Sequence, residues 1–228
     1  MPSTAPEGAA PGPLGLLGGT FDPIHLAHLR LAEEAREALG LERVRLIPAG
    51  DPPHRDTPQS AAEHRLAMAQ RAIAGNPALE VDDGEIRARQ KSYTVLTLER
   101  LRAEFGAQRP LVLLLGADAF QGLATWHRWR ELLDLAHLAV ANRPGYAPHG
   151  RRWPGLLSPE LDAACRDRLT SDPTELRAAP AGRIVPFDIT PLAISASLIR
   201  DLIRSGASPR YLLPDSVLDY IGLHHLYR

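Results

Sequence analysis

The sequence predicts an α/β protein built on a doubly wound parallel sheet, and three observations carry that prediction. Short apolar runs alternate with segments of helical periodicity along most of the chain. The run Leu111-Val112-Leu113-Leu114-Leu115 has the length and all-apolar character of a strand buried on both faces. A glycine pair, Gly18-Gly19, separates a strand-like run from a helical segment near the N-terminus. The resulting order of strand, glycine turn, helix and strand is a βαβ unit, whose crossover is right-handed.

Taken in order, residues 1–13 are rich in Pro, Gly and Ala and are expected to form a flexible tail. A first strand at 14–17 runs into Gly18-Gly19-Thr20-Phe21-Asp22-Pro23. A helix is expected over 28–39, stopped by Gly40, and a second strand over 44–48. Pro52-Pro53-His54-Arg55 reads as loop, 61–74 as helix, and 79–81 and 84–86 as short strands around Asp82-Asp83. A helix over 93–105 presents Leu96, Leu98, Leu101 and Phe105 to the core. After the apolar strand come a helix over 130–135 and a strand over 137–141. Residues 144–181 break the rhythm with many Pro, Gly and Arg and one modest helix candidate over 159–169. They are expected to form an excursion beside the sheet within a single domain spanning 14–228. A strand at 183–187, a serine-headed helix at 194–203 ended by Gly206, and a helix at 215–221 complete the chain.

At 228 residues and 44% hydrophobic, the chain can bury a substantial core. Its formal net charge is −1, with no long basic block, so a nucleic-acid surface is not expected. Lys91 is the only lysine. Arginine's planar fork suits phosphates and carboxylates, although genomic base composition gives the same bias. Cys165 is alone, which fits a reducing compartment. No apolar run is long enough to span a membrane and no secretory pattern opens the chain, so the expected location is the cytoplasm. The sequence leaves the oligomeric state open.

The strongest local signal is Gly18 through His28. Glycines directly after a strand allow a phosphate to approach backbone N–H groups. The following helix start adds unpaired donors and a positive field. No Gly-Lys-Ser/Thr follows, and the spacing is not that of a dinucleotide fingerprint. His25 and His28 can point into one cleft, as phosphate donors or as a metal pair with Asp22 the sole nearby third ligand. The second signal is Ile194-Ser195-Ala196-Ser197-Leu198-Ile199-Arg200, where helix-start hydroxyls and Arg200 can clasp an anion. An ordinary serine cap with a solvated arginine explains the same residues.

Together these segments resemble the adenylyltransferase branch of the nucleotidyltransferase superfamily, which pairs an early His-x-Gly-His with a late Ile-Ser-x-Thr-x-x-Arg. Here Ala27 replaces the usual glycine and Ser197 the common threonine. The resemblance narrows to the bacterial nicotinate-nucleotide adenylyltransferases. It rests on Gly18–His28, Pro52-Pro53-His54-Arg55, Ser92-Tyr93-Thr94 and Gly116-Ala117-Asp118 with Trp126 and Trp129. Arg143-Pro144-Gly145 and the closing segment from Tyr211 to Ile221 complete the collinear series.

The resemblance implies a Rossmann-like nucleotidyltransferase fold and adenylyl transfer from ATP to nicotinate mononucleotide, with magnesium on the ATP phosphates. His25, His28 and Arg200 would be catalytic. ATP would be bound by Gly18, Gly19, Thr20, Phe21, His25, His28, Asp118, Ile194, Ser195, Ser197 and Arg200. Nicotinate mononucleotide would be bound by Asp22, His54, Arg55, Ser92, Tyr93, Thr94, Trp126 and Arg143. Trp126 would stack on the pyridine ring, whereas Trp129 reads as core. Alternatives are a nicotinamide or dual acceptor specificity, a phosphopantetheine adenylyltransferase, a cytidylyltransferase, or a nucleotide-binding regulatory domain without turnover. Retention of both histidines and Arg200 speaks against the last.

Overall fold

The computed structural model describes residues 11–52, 57–142 and 157–228. A six-stranded sheet, all parallel, has the order β3-β2-β1-β4-β5-β6. The strands are β1 (Leu14–Gly19), β2 (Arg43–Pro48), β3 (Leu79–Val81), β4 (Leu111–Gly116), β5 (His137–Asn142) and β6 (Ile184–Asp188). The helices are α1 (Leu26–Ala38), α2 (Ala62–Ala72), α3 (Gly84–Ala88), α4 (Thr94–Phe105), α5 (Ala117–Gln121), α6 (Trp129–Leu135), α7 (Pro159–Cys165), α8 (Ala196–Arg204) and α9 (Asp215–Leu223). Pro186 lies within β6, an edge strand, where a missing N–H is tolerated.

The period of two along each strand divides the core into two layers. Leu14 and Leu16 of β1, Leu111, Leu113 and Leu115 of β4, and Leu138 and Val140 of β5 face one layer, closed by α4, α6 and α7. Val112 and Leu114, Ala139 and Ala141, and Val44 and Leu46 face the other, closed by α1, α2, α8 and α9. The chain leaves β1 toward one layer and β4 toward the other. These adjacent strands therefore diverge at their C-terminal ends, which is where an open α/β sheet forms a crevice.

Several boundaries differ from the sequence expectation. Residues 84–86 are not a strand but the start of α3. Asp82 Oδ1 accepts from Gly84 N (2.8 Å) and from Arg100 Nη2 (2.6 Å), which turns the backbone away from the sheet edge. The helix expected over 159–169 stops at Cys165, because Thr170 N donates to Ile184 O (2.9 Å) and Ile184 N to Arg168 O (2.8 Å). The short helix α5 has no counterpart in the sequence reading. The end of the expected tail is held: Pro13 is buried, and Gly12 N donates to Glu42 Oε2 at 2.9 Å. Trp129 is core, as expected.

Arg65 on α2 is 1% exposed and ties the crevice floor together. Nη1 donates to Thr20 O (2.8 Å) and Ala49 O (2.5 Å), Nη2 to Gly50 O (3.0 Å), and Nε to Ser60 O (3.4 Å). Removing it strands buried carbonyls, each at a cost of roughly 1–3 kcal/mol. Arg65→Met is expected to destabilise the protein by about 3 kcal/mol or more. A chemical denaturation midpoint unchanged from the parent would show that water replaces the guanidinium.

Candidate nucleotide-binding site

The turn after β1 is shaped for close approach. A side chain at Gly19 would strike the Phe21 ring at 2.7 Å, so glycine is needed there on internal grounds. A Cβ at Gly18 would meet no protein atom within 4 Å, and the space above that exposed residue is open. Phe21 is buried with φ +51° and sets its ring edge-on to His28, centroids 5.0 Å apart.

Helix α1 begins at Leu26, two residues before the expected start, with His25 as its N-cap. His28 thus lies at the third position of the first turn rather than at the first helical residue. The His25 and His28 rings stack at 3.7 Å and 20°, and His28 Nδ1 accepts from His25 N at 3.3 Å. Leu212 O accepts from Leu26 N (2.9 Å), which braces this helix start against the C-terminal segment.

His25 is 5% exposed, and its Nδ1 has no hydrogen-bond partner. Burial lowers its pKa from 6.5 to about 4. Between these values the unfolded chain binds a proton that the folded chain does not, so this group makes stability fall as pH drops from 6.5 toward 4. The buried His137, also held low by burial, acts in the same direction. His25→Gln should lose less melting temperature than the parent between pH 7.5 and pH 4.5; parallel losses would place the acid sensitivity elsewhere.

At the far side of the crevice Ser195 caps α8, its Oγ accepting from Leu198 N (3.2 Å). Arg200 Nη1 donates to Asp22 O (2.7 Å) and Nη2 to Ser197 Oγ (3.3 Å). Its Nε is buried without a partner. Two of the three orphaned side-chain atoms found among the described residues, His25 Nδ1 and Arg200 Nε, thus belong to this site. Such atoms are costly unless water or a ligand completes them.

The Asp22 carboxylate is buried among partners of its own chain. Oδ1 accepts from Ser60 Oγ (2.5 Å) and Tyr227 OH (2.7 Å), and Oδ2 from Gln59 N (2.7 Å). Burial holds the Tyr227 phenol far above its ordinary pKa. The carboxylate expected at the acceptor thus also ties the glycine turn to the segment before α2 and to the C-terminus.

Beyond the ends of β1, β2 and β4 lies a cavity of about 310 Å³. It gathers Gly18, Gly19 and Thr20 with Ser92, Tyr93, Thr94 and Trp126, all expected from sequence. Tyr93 caps α4 and Thr94 is its first residue, so first-turn amides without intrahelical acceptors border the cavity. Ser92 supports the wall: its Oγ accepts from Gly50 N (2.9 Å) and Asp51 N (3.2 Å). Glu85, Thr97 and His127 also line the cavity, and sequence reasoning missed them. Thr97 could have been found, because it lies three residues after Thr94 on the same helix face. Asp118 is exposed in the first turn of α5 and lies outside this cavity's lining. Ile194 precedes the α8 cap. His54, Arg55 and Arg143 fall outside the described residues.

An all-parallel sheet whose central crevice carries a glycine turn, two stacked histidines at a helix start and an arginine opposite defines a nucleotide-handling α/β class. The cytidylyltransferase-like family model matches residues 16–202, from β1 into α8. The chain is 56% identical over 216 residues to a probable nicotinate-nucleotide adenylyltransferase of Dechloromonas aromatica (strain RCB), covering 95% of this chain and 98% of the relative. It is 51% identical over 215 residues to the probable nicotinate-nucleotide adenylyltransferase of Pseudomonas fluorescens, covering 94% and 97%. Its fold is similar to that of Plasmodium falciparum nicotinic acid mononucleotide adenylyltransferase complexed with NaAD, with TM-score 0.67, 16% identity, and 95% and 97% of the two chains covered. The chain belongs to the nicotinate-nucleotide adenylyltransferase family.

Proposed function

We propose that this chain transfers the adenylyl group of ATP to nicotinate mononucleotide, releasing pyrophosphate. The observation that carries the reading is the glycine turn after β1, which lines an aromatic-walled, helix-headed cavity and leads directly into the helix start carrying His25 and His28, with the Arg200 guanidinium bonded to the same turn at Asp22 O. The polyphosphate lies along Gly18, Gly19 and Thr20 toward His25, His28, Ser195, Ser197 and Arg200. The adenosine moiety reaches Asp118 and Ile194, with Phe21 shaping the turn. The pyridine ring lies against Trp126, and its carboxylate meets the first turn of α4 at Thr94. His54, Arg55 and Arg143 serve the acceptor phosphate.

An oxygen of the acceptor phosphate, already anionic, attacks the α-phosphorus while the bond to the β-phosphate breaks and its electron pair leaves with pyrophosphate. No general base is needed. Catalysis rests on alignment and on donors meeting the charge that builds on the α-phosphate. Among the described residues, no three His, Cys, Asp or Glu side chains gather to hold a metal ion. Magnesium would enter as part of the ATP substrate, carried on its phosphates. Among the described residues no helix is long and apolar enough to cross a membrane. Cys165, the one cysteine of the sequence, is buried and its thiol pKa is pushed up to about 11 by that burial; having no internal disulfide partner, it fits the reducing cytoplasm expected for this chain.

The decisive experiment is pyrophosphate release with ATP and nicotinate mononucleotide. Release independent of that acceptor would overturn the reading.

A further inference from the structure

Glu85 is a carboxyl group in a cavity whose proposed ligand is itself a carboxylate. Its position is tightly fixed. The backbone of Gly50 packs so closely that a Cβ there would lie 2.4 Å from Glu85 O. On the other side Gly84 abuts the Arg100 guanidinium, where a Cβ would lie 2.5 Å from Cζ. The side chain is held as well: Thr97 Oγ1 donates to Glu85 Oε1 at 2.6 Å. The Ser92 hydroxyl accepts from two backbone amides, and its proximity favours the ionised form of Glu85. Thr97 lies one helical turn beyond Thr94, so Glu85 sits within about a turn of the α4 N-terminus. A carboxylate bound at that terminus meets a second carboxyl group in the same confined space. Two such groups cannot both ionise without mutual cost, and one of them takes a proton.

We propose that Glu85 is a specificity-determining residue that binds a proton when the acid acceptor enters, making the preference for nicotinate over nicotinamide pH-dependent. The inference rests on the function proposed above. With its proton, Glu85 donates toward the nicotinate carboxylate or at least does not repel it. Without the proton, it repels that carboxylate and offers an acceptor to the N–H₂ of a nicotinamide. Both effects reduce the preference as pH rises. Burial already holds the Glu85 carboxyl above the usual carboxylate range, opposed by the Thr97 and Ser92 hydroxyls. The charged and titratable groups around it are Asp82 before α3, Arg100 on α4, Arg65 on α2, His127 on the cavity wall, and the Lys91–Asp51 pair (2.9 Å).

The test is the ratio of kcat/KM for nicotinate mononucleotide to that for nicotinamide mononucleotide, measured from pH 6 to pH 9 in the parent and in Glu85→Gln. The ratio cancels every group that treats the two acceptors alike, including the acceptor phosphate and the ATP contacts. In the parent it should fall with pH, with a limiting slope of about tenfold per unit. In Glu85→Gln, which keeps an oxygen to accept from Thr97, it should be flat and higher than the parent's at pH 9. A flat parent ratio overturns the proposal without needing the variant. A slope that persists in Glu85→Gln assigns the titration to another group, His127 foremost, and also overturns it. If the parent turns over nicotinate mononucleotide while either result holds, the proposed function stands and the Glu85 inference alone fails. An absence of turnover removes both.

Discussion

Replacing His28 with alanine is expected to reduce kcat by on the order of 10²-fold or more, with only a modest loss of stability. The imidazole sits in the first turn of α1, stacked on His25 and edge-on to Phe21. Its structural duty is a helix-start bond, Nδ1 accepting from His25 N at 3.3 Å. Such a cap is worth roughly 0.5–2 kcal/mol. Its proposed chemical duty is to meet charge that grows on the α-phosphate only as the transition state forms. Losing that duty lowers kcat and kcat/KM together, whereas losing ground-state binding alone raises KM. Steady-state kinetics of the folded variant, beside its melting curve, separate the two. If kcat stays within a few-fold of the parent while the melting temperature falls, His28 is a capping residue and the charge is met elsewhere.

Nicotinate mononucleotide is expected to be used ten- to a hundredfold better than nicotinamide mononucleotide near neutral pH. The first turn of α4 offers amides with no intrahelical acceptor, and the helix field there favours an anion. An amide gains less from the field and turns N–H₂ toward donors. A buried polar group left unpaired costs roughly 1–3 kcal/mol, and each 1.4 kcal/mol is about a factor of ten. Trp126, half-buried and lining the same cavity, would present a ring to either acceptor. Trp126→Ala should therefore raise KM for both and leave most of the ratio intact. The check is kcat/KM for both acceptors at saturating ATP and magnesium in parent and variant. Equal values in the parent would make the protein a dual-specificity enzyme. A ratio that collapses in Trp126→Ala would move selectivity from the helix start to Trp126.

The alternation of elements was legible in the sequence because each strand and helix carries its own periodicity. β1, β2, β4 and β5 fall where apolar runs place them. The glycine turn, the cap at Ser195 and the head of α4 follow from residues adjacent in the chain. Errors came where a local pattern met a distant partner. Residues 84–86 alternate like a strand, but Asp82 and Arg100 pull them into α3. Asp22, an acceptor contact by resemblance, has a carboxylate engaged by Gln59, Ser60 and Tyr227, partners that no local pattern announces.

The sequence by itself determined the doubly wound class, the glycine turn, the two histidines and the ordered motif series, since these depend on neighbours along the chain. Only the tertiary structure decided which polar groups are free for chemistry. Arg65 is wholly occupied by four carbonyls, whereas Arg200 keeps a buried Nε without a partner. Asp22 is turned inward, whereas Glu85 reaches the cavity. Each outcome depends on partners brought together by packing across the sheet. A hydrogen bond is decided by distance in space, and periodicity along the chain carries no information about which far residue will close it.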